Sequence, residues 1–159
     1  MFENLEKVLN DFGKFLVEEY KDNLILEDKN ASDALYNSVK YIVDTKIKGR
    51  IEVNLSLLDY WKYIENGRKA GKWPPISAIQ KWISIKPVIP RPMDNGKLPT
   101  EQQLAFLISR KIGLEGIEPQ PLLKKSVDNV INSMMEFIAE AITEDLENEV
   151  NLIFSEVGF

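Results

Sequence analysis

Three glutamates, Glu136, Glu140 and Glu144, recur at intervals of four, the spacing that gathers side chains on one helix face. Carboxylate oxygens are the ligands a hard cation takes. With no other ligand type beside them, the three read first as a solvated stripe and equally as the acidic lining of a channel. A second cluster, Arg68, Lys69 and Lys72, is interleaved with Gly67 and Gly71. Its cations suit a phosphate or an acidic partner surface, and a flexible solvated loop is the competing reading. The run lacks the Gly-x-x-x-x-Gly-Lys-Ser/Thr order of a P-loop, so no nucleotide site is expected. Asp59 with Glu65, or Asp94 with Glu101, has no spacing that would hold two carboxylates about 5–10 Å apart for glycosidase chemistry.

The chain has no cysteine and no histidine. Disulfides, thiolate zinc sites and thiol nucleophiles are excluded, and so is Ser-His-Asp or Cys-His catalysis. Any reaction would rest on carboxylates, lysine or tyrosine, and these residues form no acid–base or phosphate constellation. The expectation is a protein that is not an enzyme, with no cofactor, no metal and no small-molecule substrate.

Net charge is −5 at pH 7, but its sign changes along the chain. Residues 1–33 hold nine acids against four lysines, and residues 40–111 hold fourteen bases against six acids. After Lys125 every charged residue is acidic. A basic middle between acidic ends suits a subunit that meets copies of itself through complementary surfaces. Charges dispersed over solvated faces explain the same distribution. No apolar run reaches the roughly 18–20 residues of a membrane span. The acidic, amphipathic start from Met1 to Phe12 is neither a signal nor a basic transit segment, so a soluble, non-secreted chain with no membrane partner is expected.

Behind these residues stand the elements that must position them. At 159 residues, 44% hydrophobic and 28% charged, the chain has the size and composition of one globular domain. Phe2, Leu5, Leu9, Phe12, Leu16 and Tyr20 fall three or four apart, predicting a helix over 1–21 that ends before Asp22-Asn23. Asn30 to Asp33 resembles a cap region for a short helix with Leu35, Tyr36 and Val39. Period two then predicts a β-hairpin over 41–56, with Tyr41 and Val43 on one strand and Val53 and Leu55 on the other. Lys48-Gly49-Arg50 would make its tight turn.

A short helix from Asp59 closes at Gly67. Ile76, Ile79, Trp82 and Ile83 mark another, with Pro75 at its start. Thr100 and Gln103 have the spacing of a capping box, opening a helix with Leu104, Phe106/Leu107 and Ile112 on its apolar face and Gly113 and Gly116 at its end. All eight prolines lie between positions 74 and 121, including those that flank an expected Asn95-Gly96 turn. A long acidic helix follows over 122–150, and Val150 to Phe159 fits a continued helix or a returning strand equally. The fold class expected is α+β: a small antiparallel sheet flanked by helices, a Pro-rich short-helix centre over 58–121, and long amphipathic helices at both ends.

Tyr60, Trp61, Tyr63 and Trp73 are candidate subunit-interface anchors, with Arg68, Lys69 and Lys72 among them. Packing into the chain's own core is the alternative. The stretch Tyr60-Trp-Lys-Tyr-Ile-Glu-Asn-Gly-Arg-Lys-Ala-Gly-Lys-Trp-Pro-Pro-Ile76, followed by Ile79-Gln-Lys-Trp82, resembles the mid-region of the neck and tail-completion proteins of tailed bacteriophages. The similarity continues through Ala105-Phe-Leu-Ile-Ser-Arg-Lys-Ile-Gly113 and Pro119-Gln-Pro-Leu-Leu123, so four elements stand in the family's order. The final helix departs from it by running longer and more acidic.

The resemblance implies a structural virion protein, forming a ring in the head–tail connector or completing the top of the tail. Its partners would be copies of itself and neighbouring portal, connector or tail-tube proteins. Genomic DNA would pass through without specific binding, with Glu136, Glu140 and Glu144 as candidate channel-lining or partner-facing acids. It would reside in the virion neck or tail, and in the host cytoplasm during assembly. Two alternatives stand beside this reading. One is a helix-turn-helix DNA-binding regulator, for which Thr100–Leu114 has the scanning pattern but Pro119 and Pro121 sit where the recognition helix should begin. The other is a small protein-binding adaptor.

Overall fold

The computed structural model describes residues 2–29, 33–47, 49–86, 88–94 and 96–157. Along them the chain runs α1 (Glu3–Leu26), α2 (Ala34–Ser38), β1 (Lys40–Asp44), β2 (Glu52–Ser56), α3 (Trp61–Asn66), α4 (Ile76–Ile85), α5 (Glu101–Glu115) and α6 (Leu122–Val157). The class is α+β, as the periodicities predict: a two-stranded antiparallel sheet flanked by helices, with the longest helices first and last. Among the described residues no helix is long and apolar enough to cross a membrane.

The frame is an antiparallel pair, α1 against α6. Gly13, Leu16, Tyr20, Asn23 and Leu24 are the buried residues of α1, and their steps of three and four make a single seam. Ser126, Val130, Met134, Ala141 and Asp145 form the facing seam on α6. Polar bonds fix the register. Asn23 donates to Ser126 Oγ at 2.9 Å, Asn129 donates to Glu19 at 2.8 Å, and the Asn4 amide donates to Asp145 at 3.1 Å. As α1 numbers fall, α6 numbers rise.

Helix α1 passes the Asp22-Asn23 stop that the sequence predicts. Asn23 is buried and commits its amide to Ser126 across the seam, so it does not compete for its own backbone as a helix-ending Asn does. The stop comes at Asp28, left-handed with φ 52°. Asp28 N donates to Ile25 O and Lys29 N to Leu24 O, which is a Schellman ending.

In the sheet, Tyr41 pairs with Leu55 and Val43 with Val53, the inward face that alternation anticipates. The tight turn is corrected: the ladder ends at Asp44 opposite Glu52 and residues 45–51 connect the strands. Asp44 Oδ1 accepts from Lys46 N at 2.9 Å, an Asx turn that bends the strand before a two-residue loop can close. Gly49 has the expected positive φ of 80°. Lys48, the Asn30–Ser32 cap residues, Pro87 and Asn95 lie outside the described residues. The Tyr41 ring lies directly over Gly13, where a β-carbon would overlap it.

Two apolar clusters result. Tyr20, Leu24, Leu35, Val39 and Leu122 join α1, α2 and the start of α6. Ile79, Ile83 and Ala105 join α4 to α5. Helix α5 opens with the Thr100–Gln103 capping box read from the sequence. It runs through Gly113 and ends at Gly116 (φ 79°). Leu104 and Ile112 pack on the core as predicted, but Phe106 and Leu107 are exposed, and Ala105, Ser109 and Gly113 are the fully buried residues. Small residues line the seam because Pro74 and Trp73 occupy the space beside it. Helix α6 continues past Val150 to Val157, which settles the helix-or-strand alternative for the described residues.

Candidate functional site

Helix α3 and the loop after it join the two clusters, and glycine makes the joint possible. Gly67 (φ 66°) and Gly116 (φ 79°) each face the opposite backbone with no room for a β-carbon. Between them Arg68 and Ile117 exchange two hydrogen bonds, of 2.9 and 2.8 Å. Gly71 N then donates to Gly113 O at 2.8 Å, and the buried Ser109 hydroxyl donates to Pro74 O at 2.6 Å. The flexible loop read from Gly67 and Gly71 is therefore a strap fastened along α5.

The candidate interface residues divide on this strap. Trp61 is half-buried and packs on the Tyr20–Leu24 cluster, so it belongs to the chain's own core. Trp73 lies on Gly113 and meets Phe106 edge-on at 6.0 Å, yet remains 49% exposed. The Arg68 guanidinium donates to Lys72 O at 3.1 Å, within the strap, while Lys69 and Lys72 project into solvent. Tyr60 and Tyr63 are exposed and face a different feature, a cleft of about 520 Å³ between α3, α4 and α5. Trp82, Ile108 and Ile117 complete its apolar wall. Sequence reasoning placed Trp82 on a helix but gave it no role at a surface.

Beneath the joint, Glu65 accepts from the amides of Leu123 and Lys124 at 2.9 and 3.0 Å. These are the second and third amides of α6, so a carboxylate from α3 caps that helix from outside. Tyr20 lies close by, fully buried, and its hydroxyl has no hydrogen-bond partner among the described residues. Burial, with the nearby Glu65 carboxylate and then Tyr60 adding to it, pushes the Tyr20 phenol up to about 12.

Glu136, Glu140 and Glu144 are all exposed on α6. Glu140 and Glu144 flank a groove between α6 and α1, with Lys7, Val8, Phe137 and Ala141 in it, and Glu136 is not among its lining residues. The groove continues into a larger hollow of about 720 Å³ over Phe15, Val130 and Met134, edged by Asp11, Glu18 and Asp22. Among the described residues no three acids are grouped closely enough to hold a metal ion.

The acid that sequence reasoning missed is Asp145. It is 3% exposed and accepts from Asn4 N and Leu5 N at 3.1 and 2.9 Å, capping α1 as Glu65 caps α6. One signal for it was present: Asp145 breaks the exposed series at 136, 140 and 144 and falls instead on the buried stripe of Met134 and Ala141. No protein-family model, curated protein or solved structure matches the chain. What the geometry offers is two open concavities, one mainly apolar cleft and one acid-edged groove.

Proposed function

We propose that the chain is a non-enzymatic structural subunit of a tailed bacteriophage virion, assembling as a ring in the neck or at the top of the tail. The observation that carries the reading is that the four sequence elements resembling that family meet in space. The α3 element caps α6 through Glu65, and the strap binds α5 through Gly71–Gly113 and the segment after α5 through Arg68–Ile117. Gln120 N donates to Ile64 O, and Ile79 of α4 packs on Ala105 of α5. Residues far apart in sequence thus form one joint, so their order reflects a shared structural task.

Subunits of a ring touch through two different patches of the same chain. The uneven charge supplies such a pair: acids outnumber bases along α1 and α6, while the strap carries only bases and α5 sets Arg110 and Lys111 side by side. Immunogold labelling of particles from the phage or prophage carrying the gene tests the reading. Label at the head–tail junction is expected, with the gene between those for the portal and the major tail protein. Purified particles without the chain would overturn the proposal, and salt-sensitive retardation of duplex DNA would favour a regulator instead.

A further inference from the structure

Beyond the first turns of α1, its lysines keep to the side of the sheet, whereas its acids border the contact with α6. Lys14 and Lys21 lie on the side that carries the sheet and α2, where Lys21 stacks 4.7 Å from the centre of the Tyr36 ring. Asp11 and Glu19 lie along the hollow shared with α6, and Glu18 and Asp22 stand on the ridge between that hollow and the lysine side. That hollow has an aromatic floor: Phe15 is 47% and Phe137 58% exposed, although both sit between two packed helices. Exposed aromatics inside an acidic rim fit an apolar helix face that carries cations.

Helix α5 has such a face. Leu107, Arg110, Lys111 and Leu114 follow the i, i+3, i+4, i+7 spacing of one helix side, and all four are exposed. Leu114 is 60% exposed. Lys111 has only a 3.8 Å exposed pairing with Glu115 to give up, and such pairs contribute little. In one chain the face cannot reach the hollow, because α4 and α5 pack on each other and not along α1 and α6. Pairing of acidic hollows with one another is opposed by their like charge.

We propose that the Leu107–Leu114 face of α5 in one copy docks into the α1/α6 hollow of a second copy, Arg110 and Lys111 meeting Asp11, Glu18 and Asp22. This rests on the reading of the chain as a self-assembling subunit and names the surfaces that reading requires. The contact is heterologous, so each copy keeps one free face of each kind and addition continues until a ring closes.

Sedimentation of the full chain up to about 1 mM, a concentration that reveals even weak contacts, tests it with two surface variants. One carries Arg110→Glu and Lys111→Glu, the other Glu18→Lys and Asp22→Lys, with circular dichroism verifying both folds. Wild type is expected to gain mass with concentration and lose it in high salt. Each variant alone should associate about tenfold more weakly or worse, while the two mixed should regain association, because the unchanged pair of surfaces and the charge-swapped pair are both complementary. If wild type associates and the variants match it, these surfaces are wrong while the assembly reading stands. A mixture that fails to pair overturns the proposal too. A wild type that stays monomeric, whether or not its hollow accepts a basic helix of another protein, overturns self-docking and leaves placement in the neck to the labelling experiment.

Discussion

At the residue scale, two carboxylates hold the long helices from outside. Asp145 of α6 closes the start of α1, and Glu65 of α3 closes the start of α6. Each satisfies two amides that the helix itself leaves open. Phe2, at the N-cap of α1, provides no side-chain bond, so Asp145 has no local substitute. Asp145→Ala should cost about 2 kcal/mol, the upper range for a lost cap, and lower Tm by about 4–8 °C for a chain of this size. Glu144→Ala, one residue away but exposed, should stay within about 0.5 kcal/mol; calorimetry of the two variants side by side checks both.

Tyr20 gives a second residue-scale test. An unfolded phenol titrates near pH 10, whereas the folded one is held at about 12. Between those values the unfolded chain has released a proton that the folded chain keeps. The contribution is therefore complete below about pH 10 and lost as pH rises toward 12. Tyr20→Phe should remove this alkaline loss, a difference of about 1 kcal/mol by pH 11. At neutral pH it should be neutral or stabilising, since the lost hydroxyl is buried without a partner. Urea unfolding at pH 7 and pH 11 measures both.

At the scale of elements, aromatic rings seated on helical glycines dock the parts together. Tyr41 of β1 covers Gly13 of α1, and Trp73 of the strap covers Gly113 of α5. Glycine inside a helix costs about 1 kcal/mol relative to alanine, and here the missing β-carbon provides the seat. Gly13→Ala should destabilise by about 1–2 kcal/mol through overpacking against the ring. With Tyr41→Ala already present, the same change should stabilise by up to about 1 kcal/mol, because only the helix propensity remains. A double-mutant cycle by denaturant unfolding reads that reversal of sign. These seats explain what the sequence left illegible. The Thr100–Gln103 box and the Tyr41–Leu55 alternation were legible because their partners are local or follow a period. Gly113 read as a helix end, and Asn23 as a stop, because the ring and the hydroxyl that keep them helical are 40 and 103 positions away.

At the scale of the molecule, α6 is longer than anything available to cover it. Its 36 residues face the 24 of α1, and the register that joins Asn4 to Asp145 places the end of α1 there. Leu146 to Val157 therefore projects beyond the pair, with Leu146, Val150, Ile153 and Phe154 all about half exposed. The sequence showed the acidity of this segment and left its shape open, since period alone cannot tell whether a neighbour exists. The candidate surfaces were legible in the same partial way: the charges were visible, but the groove that Glu140 and Glu144 flank depends on α1 lying opposite. An isolated helix of about 12 residues is marginal in water, so the projection should open independently of the rest. Hydrogen exchange should show slow amides from Val127 to Asp145 and exchange at least about tenfold faster from Val150 to Glu156. Truncation after Glu147 should leave Tm within about 2 °C of the full chain. A larger fall would mean that the projecting turns pack on the body, and the long register between α1 and α6 would then have to be redrawn.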